Sequence, residues 1–447
     1  MRSYFSLLVL VPYFAFTQGV STAKNGGELS GQWRTYYMNT VNNGGLKDFT
    51  ALASGGKLNY QYTFQGKLAL GATLYNSTNF GIQDLTIADA TTGRLSRYEE
   101  GLFDRLDLEN DAIFLLGELY LKFKLPNHEI TLGRMKINSP LINPQDGRMI
   151  PTLVQGLWYT MKPKQSNTFQ IGVLNQIAPR STGEFFGIGE SIGTYPVGRT
   201  ITGGEGEYFG NTHSDFIVLL NANIKFSEKL NLGIWNHYVD NISNSFYMKP
   251  TYALSENIGV QLEWLHQNKL GNGGSDSEAQ RYFNQNSADI LGIRLAYKWQ
   301  RSTVSLAYNH ILPHGQFLSP REWGREDLFS FQKRERSEGS ADNHALVFYY
   351  RSADLPIKKE RFTMTSILSL GRHWKPSVTN AELNKYAQPD YTHINVDLFF
   401  NFKNWKHVQP ELLITSKIAN GAFPNNPNFL LNKVDLLHVD FILNYNF

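Results

Sequence analysis

The chain has 447 residues, a formal net charge of +3, 13% aromatic residues and no cysteine. Without cysteine there are no disulfides and no thiolate chemistry. The near-balanced charge, with no basic block, gives no reason to expect a nucleic-acid partner.

The chain opens MRSYFSLLVLVPYFAFTQGVSTAKNGG. Arg2 supplies a positive start, Tyr4 to Phe16 an apolar stretch, and Ala15 to Ala23 a small and polar tail. This is the layout of a secretory signal peptide, expected over residues 1–23, and its apolar run is too short to span a bilayer. No later stretch reaches the roughly 18 to 20 apolar residues that a transmembrane helix needs. Residues 24–447 are therefore expected to form one exported domain without a helical anchor.

From residue 28 the chain alternates apolar and polar residues with the period of a β-strand. The expected strands are 28–40, 50–64, 66–78, 110–125, 127–137, 151–163, 167–179, 214–227, 229–241, 242–254, 257–269, 288–300, 302–312, 341–353, 360–372, 391–403, 408–420 and 433–447. In SDFIVLLNANIKFS, Phe216, Val218, Leu220, Ala222, Ile224 and Phe226 share one face, with Asn221, Asn223 and Lys225 opposite. In NIGVQLEWLHQN the apolar set is Ile258, Val260, Leu262 and Trp264. Strands of soluble proteins are usually about five or six residues long. These are longer and match the roughly 9 to 11 residues of a tilted strand crossing a membrane.

The links alternate in length. Short ones fall near Gln65, Pro126-Asn127, Lys164-Gln165-Ser166, Glu228, Ser255-Glu256, Arg301 and 404–407. Long ones cover 79–109, 138–150, 180–213, 270–287, 313–340, 373–390 and 421–432, and only the short link 241–243 breaks the rhythm. The expected fold class is all-β: a transmembrane antiparallel barrel of about 18 strands, with short periplasmic turns and long extracellular loops. The barrel must close, because an unpaired backbone group in hydrocarbon costs several kcal/mol. The chain stops on HVDFILNYNF, where Val439, Phe441, Leu443, Tyr445 and Phe447 share a face. This strand is expected to pair with 28–40 and, through Phe447, to present the signal read by the barrel-assembly machinery. A soluble propeller or sandwich is disfavoured, because its core would have to be the polar face.

Such a barrel is wide enough for a water-filled lumen. Alternation assigns to its wall Arg34, Glu118, Lys122, Lys225, Glu263, Arg294, Lys298, Asp397, Lys403, Glu411, Lys417 and Asp440. The loop within GRMKINSPLINPQDGRMIPTLVQG (133–156) is stiffened by Pro140, Pro144 and Pro151, and offers Arg134, Lys136, Asp146 and Arg148. Those residue types fit two placements equally: folded into the lumen as a constriction, or an ordinary surface hairpin.

The same segment resembles the third-loop region of the OprD-type outer-membrane porins, with Gly133, Pro140, Leu141, Asp146, Arg148, Pro151 and Gly156 in the family's order. YAQPDYTHINVDLFFNFK (386–403) resembles a late strand of that family. The resemblance implies an eighteen-stranded pore, monomeric or loosely trimeric. It also implies a constriction of inward-folded loops and a basic row along the wall that guides carboxylate groups. Asp146 and Arg148, with Arg134 and Lys136 beside them, are the expected constriction. Arg294, Lys298, Lys403 and Lys417 are the candidate row, chosen by facing alone. Lys predominates there where the family favours Arg, so looser selection is expected, since Lys is a point charge and not a planar fork.

The function expected is a passive channel in the outer membrane of a Gram-negative bacterium for small hydrophilic solutes such as amino acids, short peptides and organic acids. Its partners would be outer-membrane lipid, lipopolysaccharide and those solutes, with no cofactor and no catalysis. The alternatives are a barrel lipase or protease, and a surface adhesin using 313–340 with its run KRERSE. The glycine-rich stretches GIGESIGTYPVG and TGGEGEYFG precede no helix and are not phosphate loops. No metal site is expected among the histidines.

Overall fold

A computed structural model describes residues 25–144, 148–164, 166–195, 197–357 and 361–447. The proposed signal peptide and Asp146 lie outside the described residues. The strands are β1 (Gly26–Val41), β2 (Phe49–Phe64), β3 (Leu68–Asn79), β4 (Ala112–Leu125), β5 (His128–Met135), β6 (Leu153–Lys164), β7 (Asn167–Ala178), β8 (Phe186–Gly187), β9 (Ile217–Lys225) and β10 (Leu230–Val239). They continue as β11 (Ser243–Ala253), β12 (Ile258–Lys269), β13 (Ser287–Trp299), β14 (Ser302–Ile311), β15 (Asn343–Ile357), β16 (Phe362–Trp374), β17 (Tyr391–Phe402), β18 (Val408–Ala419) and β19 (Leu436–Asn446).

All nineteen belong to one antiparallel sheet. The two-residue β8 only extends the edge of β7, so eighteen strands make the ring. β7 pairs directly with β9, and β1 pairs with both β2 and β19. The seam runs from Gln32 opposite Asn446 to Val41 opposite Leu437. Phe447 finishes it: its N–H donates to Gly31 O at 3.0 Å, and its carbonyl accepts from Gly31 N at 2.8 Å. No sheet edge is left open, as hydrocarbon requires.

The alternation holds in three dimensions. Leu70, Phe114, Leu121, Leu132, Ile171, Leu262, Ile293, Phe348, Leu370 and Phe441 all point outward and are exposed. Their opposite-parity neighbours are polar or buried inside. Strand ends agree with the expected spans to within a few residues. The largest difference is β15, which continues to Ile357 past a bulge at Ser352/Leu355 with Asp354 at φ 48°. Another bulge, where Thr73/Leu74 face Glu118/Leu116, turns Glu118 inward.

The long connections, expected as polar extracellular loops, also carry apolar side chains that fold back and pack one end of the barrel. Leu85, Leu102, Phe103, Met149 and Ile150 from loops 80–111 and 136–152 form one apolar cluster with Tyr36, Met38 and Ile113 of the wall. Ile142, Ile188, Ile192, Tyr282 and Trp323 form a second, and Leu141, Phe317 and Leu328 join a third. Burying these side chains is worth roughly 1.5–3 kcal/mol each, enough to hold loops that no regular sheet constrains. Polar wall residues toward the short turns, such as Gln32, Asn59, Gln61 and Lys122, stay half-exposed.

Candidate functional site

The loop 312–342 crosses the lumen and binds the wall strand by strand. Phe329 N–H donates to Glu263 of β12 at 2.8 Å, and Phe329 O accepts from Arg294 of β13 at 2.8 Å. Tyr349 of β15 donates to Phe331 O at 2.8 Å. Gln332 donates to Ser369 of β16 at 2.8 Å. Lys333 lies 2.6 Å from Asp397 of β17 and 2.8 Å from Glu411 of β18. Arg334 reaches Asp440 of β19 at 2.6 Å and donates to Tyr36 of β1 at 2.8 Å. Glu335 sits 2.9 Å from Lys417 of β18. The run KRERSE, which the surface-scaffold alternative needs outside, is therefore inside. Lys333 and Arg334 are neutralised by acids that alternation placed on the wall, Glu335 by Lys417, and Glu338 by Arg321 of the same loop.

The described residues 136–144 and 148–152 also fold inward against the wall. Lys136 extends to Glu118 at 2.9 Å, and Tyr75 donates to the same carboxylate at 2.7 Å. Arg148 is buried, and its carbonyl accepts from Arg34 of β1. Its Nε and one terminal nitrogen are buried with no hydrogen-bond partner among the described residues. Burying such donors without a partner costs roughly 1–3 kcal/mol, more for a charged group.

Two further arginines share this neighbourhood. Arg180 donates to Tyr195 OH at 2.7 Å, and the Arg105 guanidinium lies 3.9 Å above the Tyr195 ring. Arg105 is also 2.6 Å from Glu100. Burial pushes the Tyr195 hydroxyl up, but Arg180, Arg148 and Arg105 outweigh it and hold the group below the ordinary phenol value. Lys57 on β2 completes the group: the charges it feels are those of Lys136, Glu118 and Arg34. A basic side thus runs from the loops down β1 and β2, while the acids of β17 to β19 are already occupied.

The sequence candidates fall in different places. Lys136 and Arg148 come together on this basic side. Arg134 pairs with Leu119 and Gln155, shares the strand face of outward Leu132, and lies 4.3 Å over Phe185. Arg294 faces inward but serves Phe329, and Lys417 is fully buried against Glu335 and the Arg334 carbonyl. Lys298 is exposed near the β13–β14 turn, and Lys403 lies in the turn after β17. The four candidates for the row do not form one. Sequence reasoning missed Lys57, although Leu58 and Tyr60 beside it mark the outward face. Arg105, Arg180 and Tyr195 lie in loops without periodicity, and nothing in the sequence flagged them.

A family model described as outer membrane porin, OprD family, matches residues 24–329. The match includes the 133–156 segment and stops short of 386–403. The fold is similar to that of Acinetobacter baumannii OccAB4, with a TM-score of 0.69, 15% identity and coverage of 94% of this chain and 98% of that one. It is also similar to the outer membrane protein opdK of Pseudomonas aeruginosa, with a TM-score of 0.67, 13% identity and coverage of 94% and 98%. A structure of Pseudomonas aeruginosa OpdK with vanillate aligns over the same shares, with a TM-score of 0.66 and 14% identity. At these identities the likeness is one of fold. No curated protein sequence matches.

Proposed function

Because the chain belongs to the OprD family of outer membrane porins, we propose that it is a passive diffusion channel for small hydrophilic solutes bearing a carboxylate. The observation that carries this reading is the buried Arg148, with guanidinium nitrogens unbonded among the described residues, beside Arg105 and Arg180 and above Arg34, Lys57 and Lys136. Such a site would lower the electrostatic barrier for a passing anion and perform no chemistry. A guanidinium fork matches a carboxylate in geometry as well as charge. The OpdK relative solved with vanillate, an aromatic carboxylate, supports the same class.

In the outer loops Arg97, Arg94 and Arg199 also stand near Lys433. Neutralisation of Lys333, Arg334 and Lys417 by wall and loop acids keeps those charges out of selection. Phe447, paired at the seam, is taken as the end that the assembly machinery reads. Planar-bilayer recording of the purified protein tests the channel. Stepwise ohmic openings with a reversal potential displaced toward the anion are expected. A silent barrel, or a cation preference, contradicts the reading.

A further inference from the structure

The outward face of the barrel near its loop end carries a cluster that the channel does not use. His310 of β14 stands directly opposite His344 of β15. Both share the outward parity of Leu306, Leu346 and Phe348. Asp342, the last residue of the inward-folded loop, turns back between them. His310 Nε2 lies 3.8 Å from Asp342 Oδ1, and His344 Nε2 lies 3.9 Å from the same oxygen. The two rings stack with centroids 3.9 Å apart. We propose that His310, Asp342 and His344 form a binding site for a divalent transition-metal ion of the zinc type on the outer rim.

The spacing decides between a hydrogen-bonded cluster and an ion site. Gaps of 3.8 and 3.9 Å exceed the roughly 2.7–3.2 Å of an N–H···O bond. Tetrahedral zinc with bonds of about 2.0–2.2 Å sets its ligand atoms roughly 3.3–3.5 Å apart; the three ligand atoms lie within 4.8 Å of one another, so the ion would close the site by turning the stacked rings toward it. His310 Nε2 is buried and has no hydrogen-bond partner among the described residues. His344 is oriented from behind, since its Nδ1 meets Tyr308 OH at 2.6 Å. When the ring donates through Nδ1, its Nε2 lone pair faces the gap, the arrangement by which second partners fix metal-bound imidazoles. Asp342 is half-exposed, which leaves an entry path and a fourth position for water. Two imidazoles and one carboxylate suit zinc, nickel or copper better than calcium or magnesium.

A neighbouring cluster provides the contrast. Asp289 lies 3.0 Å from His266 Nδ1 and 3.1 Å from His314 Nε2, and Trp264 donates to it at 2.8 Å. Its oxygens are occupied at bonding distance, and no gap remains for an ion. At 310, 342 and 344 the same residue types stand apart. An ion there would fasten the point where the loop 312–342 rejoins the wall to both β14 and β15. The proposal does not depend on what passes through the pore.

The test is zinc titration of the full-length, untagged protein in detergent after chelator treatment, followed by calorimetry, with Co2+ absorption as a spectroscopic check. One ion per chain is expected. His310→Ala and His344→Ala should abolish binding, and Tyr308→Phe should weaken it by about 10-fold or more. His266→Ala should leave it unchanged. Heat-dependent gel migration confirms that each variant keeps its barrel. Absence of zinc binding by the wild type at millimolar ion, or binding unaltered in the His310→Ala/His344→Ala double variant, overturns the proposal. So does loss confined to His266→Ala.

Discussion

Two of the inward-folded loops carry their charges in opposite ways. In the loop 312–342, Lys333, Arg334 and Glu335 each find an opposite charge within 3 Å on the wall. In the loop 136–152, Arg148 is as deeply buried but leaves two guanidinium nitrogens without a partner among the described residues. Under the proposed function, the difference separates structural charge from selecting charge. A paired ion fixes a loop and presents little field to a passing solute. An unpaired one, held by neighbours such as Arg34, keeps its field for the solute.

Removing the first loop should have the largest effect. Replacing 326–338 by a short Gly-Ser linker takes away the segment anchored to β12 through β19. Single-channel conductance should rise several-fold, with the barrel still resistant to detergent. An unchanged conductance would mean that this loop does not narrow the path.

Point changes sharpen the contrast. Arg334→Ala removes the cation from buried Asp440 and leaves it only His438 at 3.1 Å, the Arg334 and Asp440 side chains being at most 2% exposed in the native protein. Breaking such a pair typically costs about 3–5 kcal/mol, so frequent noisy openings are expected. Lys333→Ala should be milder, because that side chain is 34% exposed. Equal effects of the two would argue against burial as the cause. Arg148→Ala should leave conductance nearly unchanged while moving the reversal potential toward the cation. Arg294→Ala should loosen the Phe329 contact without that shift.

The smallest effect concerns pH. Burial, then Arg97 and Arg94, push Lys433 down to about 7 from its usual 10.5. Between these values the unfolded chain binds a proton that the folded one has lost, so stability rises with pH across that window and is flat below it. The thermal midpoint of the wild type should climb from pH 7 toward pH 10 more than that of Lys433→Met. Parallel curves would mean that Lys433 keeps its proton.

Why the wall is legible and the loops are not follows from what periodicity records. Alternation reports which side of a strand meets lipid, so the wall, the seam at Phe447 and inward Asp397, Glu411 and Asp440 could be read directly. It is silent on where a loop goes. KRERSE looks solvated in sequence, and only the acids on β17 to β19 explain its position. Parity also cannot say whether an inward cation is free. Lys417 faces the lumen as expected, yet Glu335, distant in sequence, neutralises it. Arg134 was taken from a loop motif, and the parity of Leu132 already placed it elsewhere.

The central claim is that the basic side, where Arg148 keeps guanidinium nitrogens without a hydrogen-bond partner among the described residues, selects carboxylates. Flux of an aromatic carboxylate and of its neutral amide into liposomes carrying the protein tests it most directly. The account predicts faster entry of the carboxylate, with the preference lost in the Arg148→Ala/Lys136→Ala double variant while amide entry persists. Equal entry of both solutes into wild-type liposomes, or a preference that survives the double variant, would contradict it.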